Sequence, residues 1–168
     1  MVQLVELGNR ALLEVLVFFA RNPSTKISYT DLRKKTKIAK ATLTKHLNFL
    51  LKGDFIKVEK IGLSKLYQLN KENCIVKQFK ILDNLLSLKN VKQSEKKYNI
   101  QIFLYGSAAR GEDTENSDLD LLVIGKINKE RLIPEIKKMS NNIGREIKII
   151  IFNTLEWSQL VRKDAPFY

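Results

Sequence analysis

Residues 104–123 read LYGSAARGEDTENSDLDLLV: an apolar strand, a Gly106-Ser107 turn, a polar loop, and a second apolar strand in which Asp118 and Asp120 flank Leu119. On a strand, residues two apart project from one face, so the two carboxylates stand side by side while Leu119 enters a core behind them. Acids that close repel each other unless a cation lies between them, and hard oxygen donors of this kind suit Mg²⁺ held jointly with a ligand's phosphates. Gly106 permits a tight backbone turn, and Ser107 is expected to open a short helix whose free N–H groups attract phosphate oxygens. Metal and phosphate are thereby drawn to one point.

This stretch resembles the signature of the nucleotidyltransferase superfamily, Gly-Ser followed by Asp-x-Asp in a strand. It is most similar to the minimal branch, Gly-Ser-x-Ala-Arg-Gly and then Ser-Asp-x-Asp, met here by Gly106, Ser107, Ala109, Arg110, Gly111, Ser117, Asp118 and Asp120. The resemblance implies Mg²⁺ at Asp118 and Asp120, a nucleoside triphosphate, ATP foremost, gripped by Gly106, Ser107 and Arg110, and transfer of a nucleoside monophosphate with loss of pyrophosphate. The superfamily's active members usually add a third carboxylate from a later strand. The candidate strand is 145–152, REIKIIIF, where that position is Lys148. Glu146 lies two residues earlier and on the same face, so it is the candidate third catalytic acid beside Asp118 and Asp120. The Lys148 ammonium could instead neutralise the pair in place of a metal and leave a nucleotide-binding site without turnover. Both readings stand at this level, so whether the chain is an enzyme is open.

Charge divides the chain. Of the net +12, all sits in residues 1–98, with 20 Lys/Arg against 8 Asp/Glu, whereas residues 99–168 carry 10 of each. That asymmetry points to a separate basic module that meets a polyanion. The single cysteine, Cys74, cannot form an internal disulfide and has no spaced partners for zinc, which fits a reducing, cytoplasmic setting; it reads as a helix-packing residue. The longest apolar run, Ala11 to Ala20, is broken by Glu14 and too short to span a bilayer, so no membrane partner is expected.

The basic part has an ordered pattern. Leu7 to Arg21 reads as an apolar helix, Lys26 to Ser28 as a short strand, and Asp31 to Lys37 as a helix capped by Thr30. Lys40 to Lys52 places Leu43, Leu47, Leu50 and Leu51 inward and Lys40, Thr42, Thr44, Lys45 and Asn48 outward. Phe55 to Glu59 and Lys65 to Leu69 then form a hairpin. This order, over about Val5 to Asn70, is similar to archaeal and bacterial winged helix-turn-helix regulators. The resemblance implies that Thr42, Thr44 and Asn48 face base edges of double-stranded DNA while Lys40, Lys45, Lys57, Lys60 and Lys65 lie against the duplex and its phosphates. His46, the one histidine, reads as a solvated or phosphate-contacting residue of that helix.

Glu72 to Asn90 is expected to be a connecting helix whose stripe Ile75, Phe79, Leu82 and Leu86 packs on the chain's own second domain or on a second copy. Residues 91–99, polar and lysine-rich, read as a boundary segment. Strands at 100–105, 119–124 and 146–152, with helices at 129–141 and, capped by Thr154, 155–162, complete the second domain. Members of the resembled family often continue past the equivalent of residues 164–168 into another helix, so the resemblance implies either a natural short form or a truncation.

The expected fold is therefore α+β in two domains: a winged helix-turn-helix over 1–71, a connecting helix and linker over 72–98, and an α/β nucleotidyltransferase-like domain with a small mixed sheet over 99–168. Two functions follow. One is a DNA-binding transcriptional regulator whose second domain binds a metal-nucleotide or a partner protein. The other is an active magnesium-dependent nucleotidyltransferase, similar to antitoxins that modify a HEPN-type toxin.

Overall fold

The computed structural model describes residues 8–163, so Leu7 and residues 164–168 lie outside the described part. Among the described residues are eight helices and six strands, a mixed α/β arrangement with two three-stranded sheets. The chain divides into two compact units after Lys80. Among the described residues no helix is long and apolar enough to cross a membrane.

The first unit opens with α1 (Arg10–Arg21), started by Asn9, whose side chain accepts the Leu12 N–H at 3.1 Å. Leu12, Val15, Leu16 and Phe19 repeat at helical spacing and are buried together. β1 (Ile27–Ser28) leads straight into α2 (Tyr29–Thr36). Ser28, not Thr30, is the cap, because its hydroxyl accepts the Asp31 N–H at 3.1 Å and so starts the helix two residues earlier than expected. α3 (Lys40–Lys52) follows, then β2 (Ile56–Ile61) and β3 (Ser64–Leu69), with β3 central between β1 and β2 and antiparallel to both. Phe19, Leu32, Leu43, Leu50, Phe55 and Ile56 fill the core, each fully buried side chain contributing roughly 1.5–3 kcal/mol.

His46 departs from its expected place. It is 6 % exposed, on the face that carries Leu43, Leu47 and Leu50, and its Nε2 has no hydrogen-bond partner among the described residues. Burial, and secondarily the Lys45 charge, hold its pKa below the ordinary 6.5. The unfolded chain therefore binds this proton more readily than the folded one. Stability that is complete above the unfolded value is lost as pH falls through it toward the folded value. Thermal melts between pH 8 and pH 5 should show the first unit softening on acidification, and His46→Leu should flatten that dependence.

α4 (Cys74–Ser87) begins where the Asn73 side chain accepts the N–H groups of Ile75 and Val76. Val76 is its buried apolar residue, beside the buried Lys80 and Asn84, and Phe79 of the expected stripe packs against the same core as Val76, but Ile75, Leu82 and Leu86 of that stripe are exposed among the described residues. Cys74 is exposed rather than packed. The 91–99 stretch is not an extended boundary: it is α5 (Val91–Tyr98), with Val91 and Ser94 buried and Ser94 and Tyr98 both donating to Glu135. Lys97 joins Ser94 and Tyr98 at Glu135 while Lys96 stays exposed, and this mixture of lysines with few apolar residues is why composition alone reads as linker.

The second unit's sheet has the order β4 (Gln101–Tyr105), β5 (Leu119–Ile124), β6 (Ile147–Phe152), with β5 antiparallel to β4 and parallel to β6. It is small and mixed, as expected. The connections are α6 (Gly106–Ala109) and a loop between β4 and β5, and α7 (Lys129–Ile143) between β5 and β6. Leu119, Leu121 and Val123 from β5 share a core with Val91, Ile100, Leu132, Ile136 and Ile147, while the intervening Asp120 stays half-exposed on the other face. α8 (Thr154–Lys163) is opened by a reciprocal box between Asn153 and Glu156 rather than by the Thr154 side chain.

Candidate functional site

Of the expected strand pair only Asp120 lies in β5, and Asp118 is the loop residue immediately ahead of it; the alternation is still sharp, with Leu119 and Leu121 buried and Asp118 and Asp120 not. In the sheet register Asp120 lies opposite Tyr105 on one side and Lys148 on the other. Tyr105 leads directly into the turn at Gly106, whose φ is 71°. A Cβ built at Gly106 would lie 2.6 Å from Asp120 Oδ2, so both the backbone angle and the space demand glycine. The carboxylate of Asp120 and the glycine-serine bend are thus in contact. Ser107 is half-buried within the one-turn α6, and its carbonyl accepts the N–H groups of Arg110 and Glu112, folding the loop back on itself.

Lys148 decides the electrostatics. Its Nζ is 2.5 Å from Asp118 Oδ2. The Asp118 hydrogen bond and charge, then the charges of Glu146 and Asp120, raise the Lys148 pKa, so the ammonium is secured at neutral pH. Burial, and secondarily the Asp120 charge, also push the Tyr105 phenol up and keep it protonated. The position at which the resemblance calls for a third carboxylate therefore holds a cation that already bridges toward the pair. Glu146 is exposed, sits just ahead of β6 and contributes charge beside Lys148, while its backbone carbonyl accepts the Leu119 N–H. Among the described residues no three His, Cys, Asp or Glu side chains gather as a metal cluster. Arg110 is exposed and its Nε donates to Glu112 at 2.9 Å, which engages its charge locally.

Asp118 and Asp120 fit a magnesium ion shared with nucleotide phosphates, which needs only one or two carboxylates, provided Lys148 releases Asp118. They do not make an all-protein cage. A released ammonium at that point has the reach and charge to meet a phosphate oxygen.

Spacing along the chain does not disclose a buried polar hub behind the site. Asp113, 5 % exposed, takes an ion pair from Arg145 Nη1 at 3.0 Å, and Arg145 Nη1 also donates to Asn84 Oδ1. Arg145 Nε and Nη2 both donate to the Ser117 carbonyl, at 3.1 and 2.9 Å. The Asn84 amide donates to Asp113 and to the Ala108 carbonyl.

On the first unit, Lys40, Lys45 and Asn48 of α3 are exposed and Thr42 is half-buried. The Thr44 hydroxyl is already engaged, by the Lys40 carbonyl at 2.9 Å and the Tyr29 hydroxyl at 3.3 Å. Lys57, Lys60 and Lys65 are exposed on the hairpin, and Lys60 pairs directly opposite Lys65. Like charges in register cost stability unless an anion lies against them. Arg33, Lys34 and Lys37 line a recess between α2 and the start of α3, a basic feature that the helix patterning does not single out.

Residues 87–167 match the nucleotidyltransferase domain family. A protein of Methanocaldococcus jannaschii provisionally named a protein adenylyltransferase is 37 % identical over 51 residues, which is 30 % of this chain and 51 % of that protein. The chain thus spans about half the length of that relative. No solved structure gives a significant match.

Proposed function

We propose that the protein is a DNA-binding transcriptional regulator whose second unit binds a nucleoside triphosphate, ATP foremost, with Mg²⁺ at Asp118 and Asp120 and phosphates at Gly106 and Ser107. The observation that supports the nucleotide half is the contact between the Asp120 carboxylate and the Gly106 bend, since one metal-nucleotide would then meet an acid and the bend together. Magnesium, when bound there, would neutralise phosphate charge that two carboxylates alone would repel. Tyr105 remains a neutral donor beside Asp120, and Lys148 supplies a positive charge beside Asp118. Titration calorimetry with ATP, with and without Mg²⁺, tests it: no heat in either condition rejects the nucleotide site.

The DNA half rests on the order α1, β1, α2, α3, β2, β3, which is that of a winged helix, and on the uncovered lysines of α3 and the hairpin. Lys45→Ala with Asn48→Ala should weaken duplex binding about tenfold or more, since a base-edge contact is worth about 1–3 kcal/mol. Removing Lys60 and Lys65 should instead flatten the salt dependence, by about one unit of slope for each phosphate left without its lysine. Anisotropy across a salt series reads both, and the absence of any complex at low salt rejects duplex binding.

A second reading, transfer of the nucleoside monophosphate to a protein hydroxyl such as that of a HEPN-type toxin, is favoured by the family match and by the name of the archaeal relative. Here Asp118 and Asp120 would steady the reacting phosphate and Glu146 would supply the remaining acid. A second copy of the chain is the occupant that would cover Ile75, Leu82 and Leu86 of α4 and pair two DNA-binding units.

A further inference from the structure

We infer that Arg145 is a positioning residue which, through Asp113 and Asn84, sets the placement of Asp118 relative to the Gly106-Ser107 bend; this rests on reading that bend and Asp118 as two halves of one nucleotide site. The two halves are separated by the loop of residues 110–118, which forms its own turn between Thr114 and Ser117. Residues outside the loop brace both of its ends. Arg145, at the entry to β6, holds the far end by a fork on the Ser117 carbonyl, with Nη2 at 3.5 Å from the Asp118 carbonyl. Asn84, from α4, holds the near end by donating to the Ala108 carbonyl at 3.1 Å. Asp113, in the middle of the loop, takes Arg145 on one oxygen and Asn84 on the other, and Asn84 Oδ1 closes the ring back to Arg145.

The geometry of that ring is what makes arginine specific at position 145. A guanidinium presents donors in a fixed plane, so one side chain can satisfy a carboxylate, an amide oxygen and a backbone carbonyl together. A lysine there would keep the charge facing Asp113 but has no fork to place on Ser117. The hub is largely buried, with Asp113 and Asn84 each 5 % exposed, so its polar groups must stay paired and its geometry resists drift. Ser117 is also tied locally, its hydroxyl accepting the Thr114 N–H at 2.8 Å. Arg145 therefore tightens a turn that is already formed and aims the residue that follows it. It reaches no ligand itself.

The test compares Arg145→Lys and Arg145→Met with the parent protein by amide hydrogen exchange, thermal melting and MgATP affinity. Arg145→Lys is expected to melt near the parent temperature, to exchange at least tenfold faster at Ser117 and Leu119, and to bind MgATP at least tenfold more weakly. Arg145→Met should show the same changes more strongly; should it fail to fold, the lysine variant carries the comparison. Parent-like exchange and affinity in Arg145→Lys would overturn the inference. If the parent protein binds no MgATP, the nucleotide reading fails by that result, and the exchange rates still decide whether Arg145 orders the segment leading to Asp118.

Discussion

Lys148→Asp is expected to convert a site with a built-in cation into one that requires a metal. In the parent protein the Lys148 ammonium lies 2.5 Å from Asp118 and is drawn also by Glu146 and Asp120. Any Mg²⁺ ion must first displace it, and that competition lowers apparent metal affinity. The substitution removes the competitor and places a third carboxylate in register with Asp120. Without metal the variant gathers like charges on one face of β5 and β6 and should melt below the parent. With Mg²⁺ that repulsion becomes attraction. The affinity for Mg²⁺ in the presence of nucleotide should rise by about tenfold or more, roughly 1.4 kcal/mol, and millimolar Mg²⁺ should raise the melting temperature of the variant far more than that of the parent. Equal or weaker magnesium binding in Lys148→Asp would show that the ammonium is not the occupant of a metal position. A gain of ATP-dependent labelling of a protein acceptor in the same variant would mark the parent as a binding unit derived from transfer chemistry.

What the sequence discloses and what it conceals divide along a physical line. The Asp118, Asp120 and Gly106 arrangement is legible because strand alternation and a positive-φ turn are local rules, and the register of three short strands then brings their ends together. Lys148 is legible as a departure, but only the structure shows that its ammonium reaches Asp118. The hub of Asn84, Asp113 and Arg145 is not legible, because its members are up to 61 residues apart and none follows a periodic pattern. His46 misleads through residue type: it is three residues from Leu43 and four from Leu50, which places it on the inward face that spacing alone would assign. In α5 the charged residues conceal the Val91, Ser94 and Tyr98 spacing that lays the helix on α7, and composition outweighs period. Along α4 the opposite error arises. The apolar stripe is real, yet Val76, one residue round the helix from Ile75, is the side chain that enters the first core.

The double variant Asp118→Asn with Asp120→Asn separates the two ways in which the proposed site would hold a nucleotide. Asparagine keeps nearly the same shape, so the fit of residue 120 against the Gly106 bend is retained while both anionic ligands are lost. If magnesium bridges the carboxylates to the phosphates, two charge-assisted interactions vanish at about 1.5–3 kcal/mol each, and affinity for MgATP should fall by about a hundredfold or more. Metal-free ATP should behave differently. Lys148 loses its Asp118 partner and presents an uncompensated ammonium beside the bend, so affinity for the free triphosphate should hold or rise. The sign of the magnesium effect therefore inverts between parent and variant: magnesium strengthens binding in the parent and, by sequestering phosphate charge away from Lys148, weakens it in the variant. Calorimetric titrations of both proteins at one ionic strength read that inversion directly. Parallel losses with and without magnesium would instead mean that the carboxylates serve only the shape of the bend, and would remove the acid pair from ligand binding altogether.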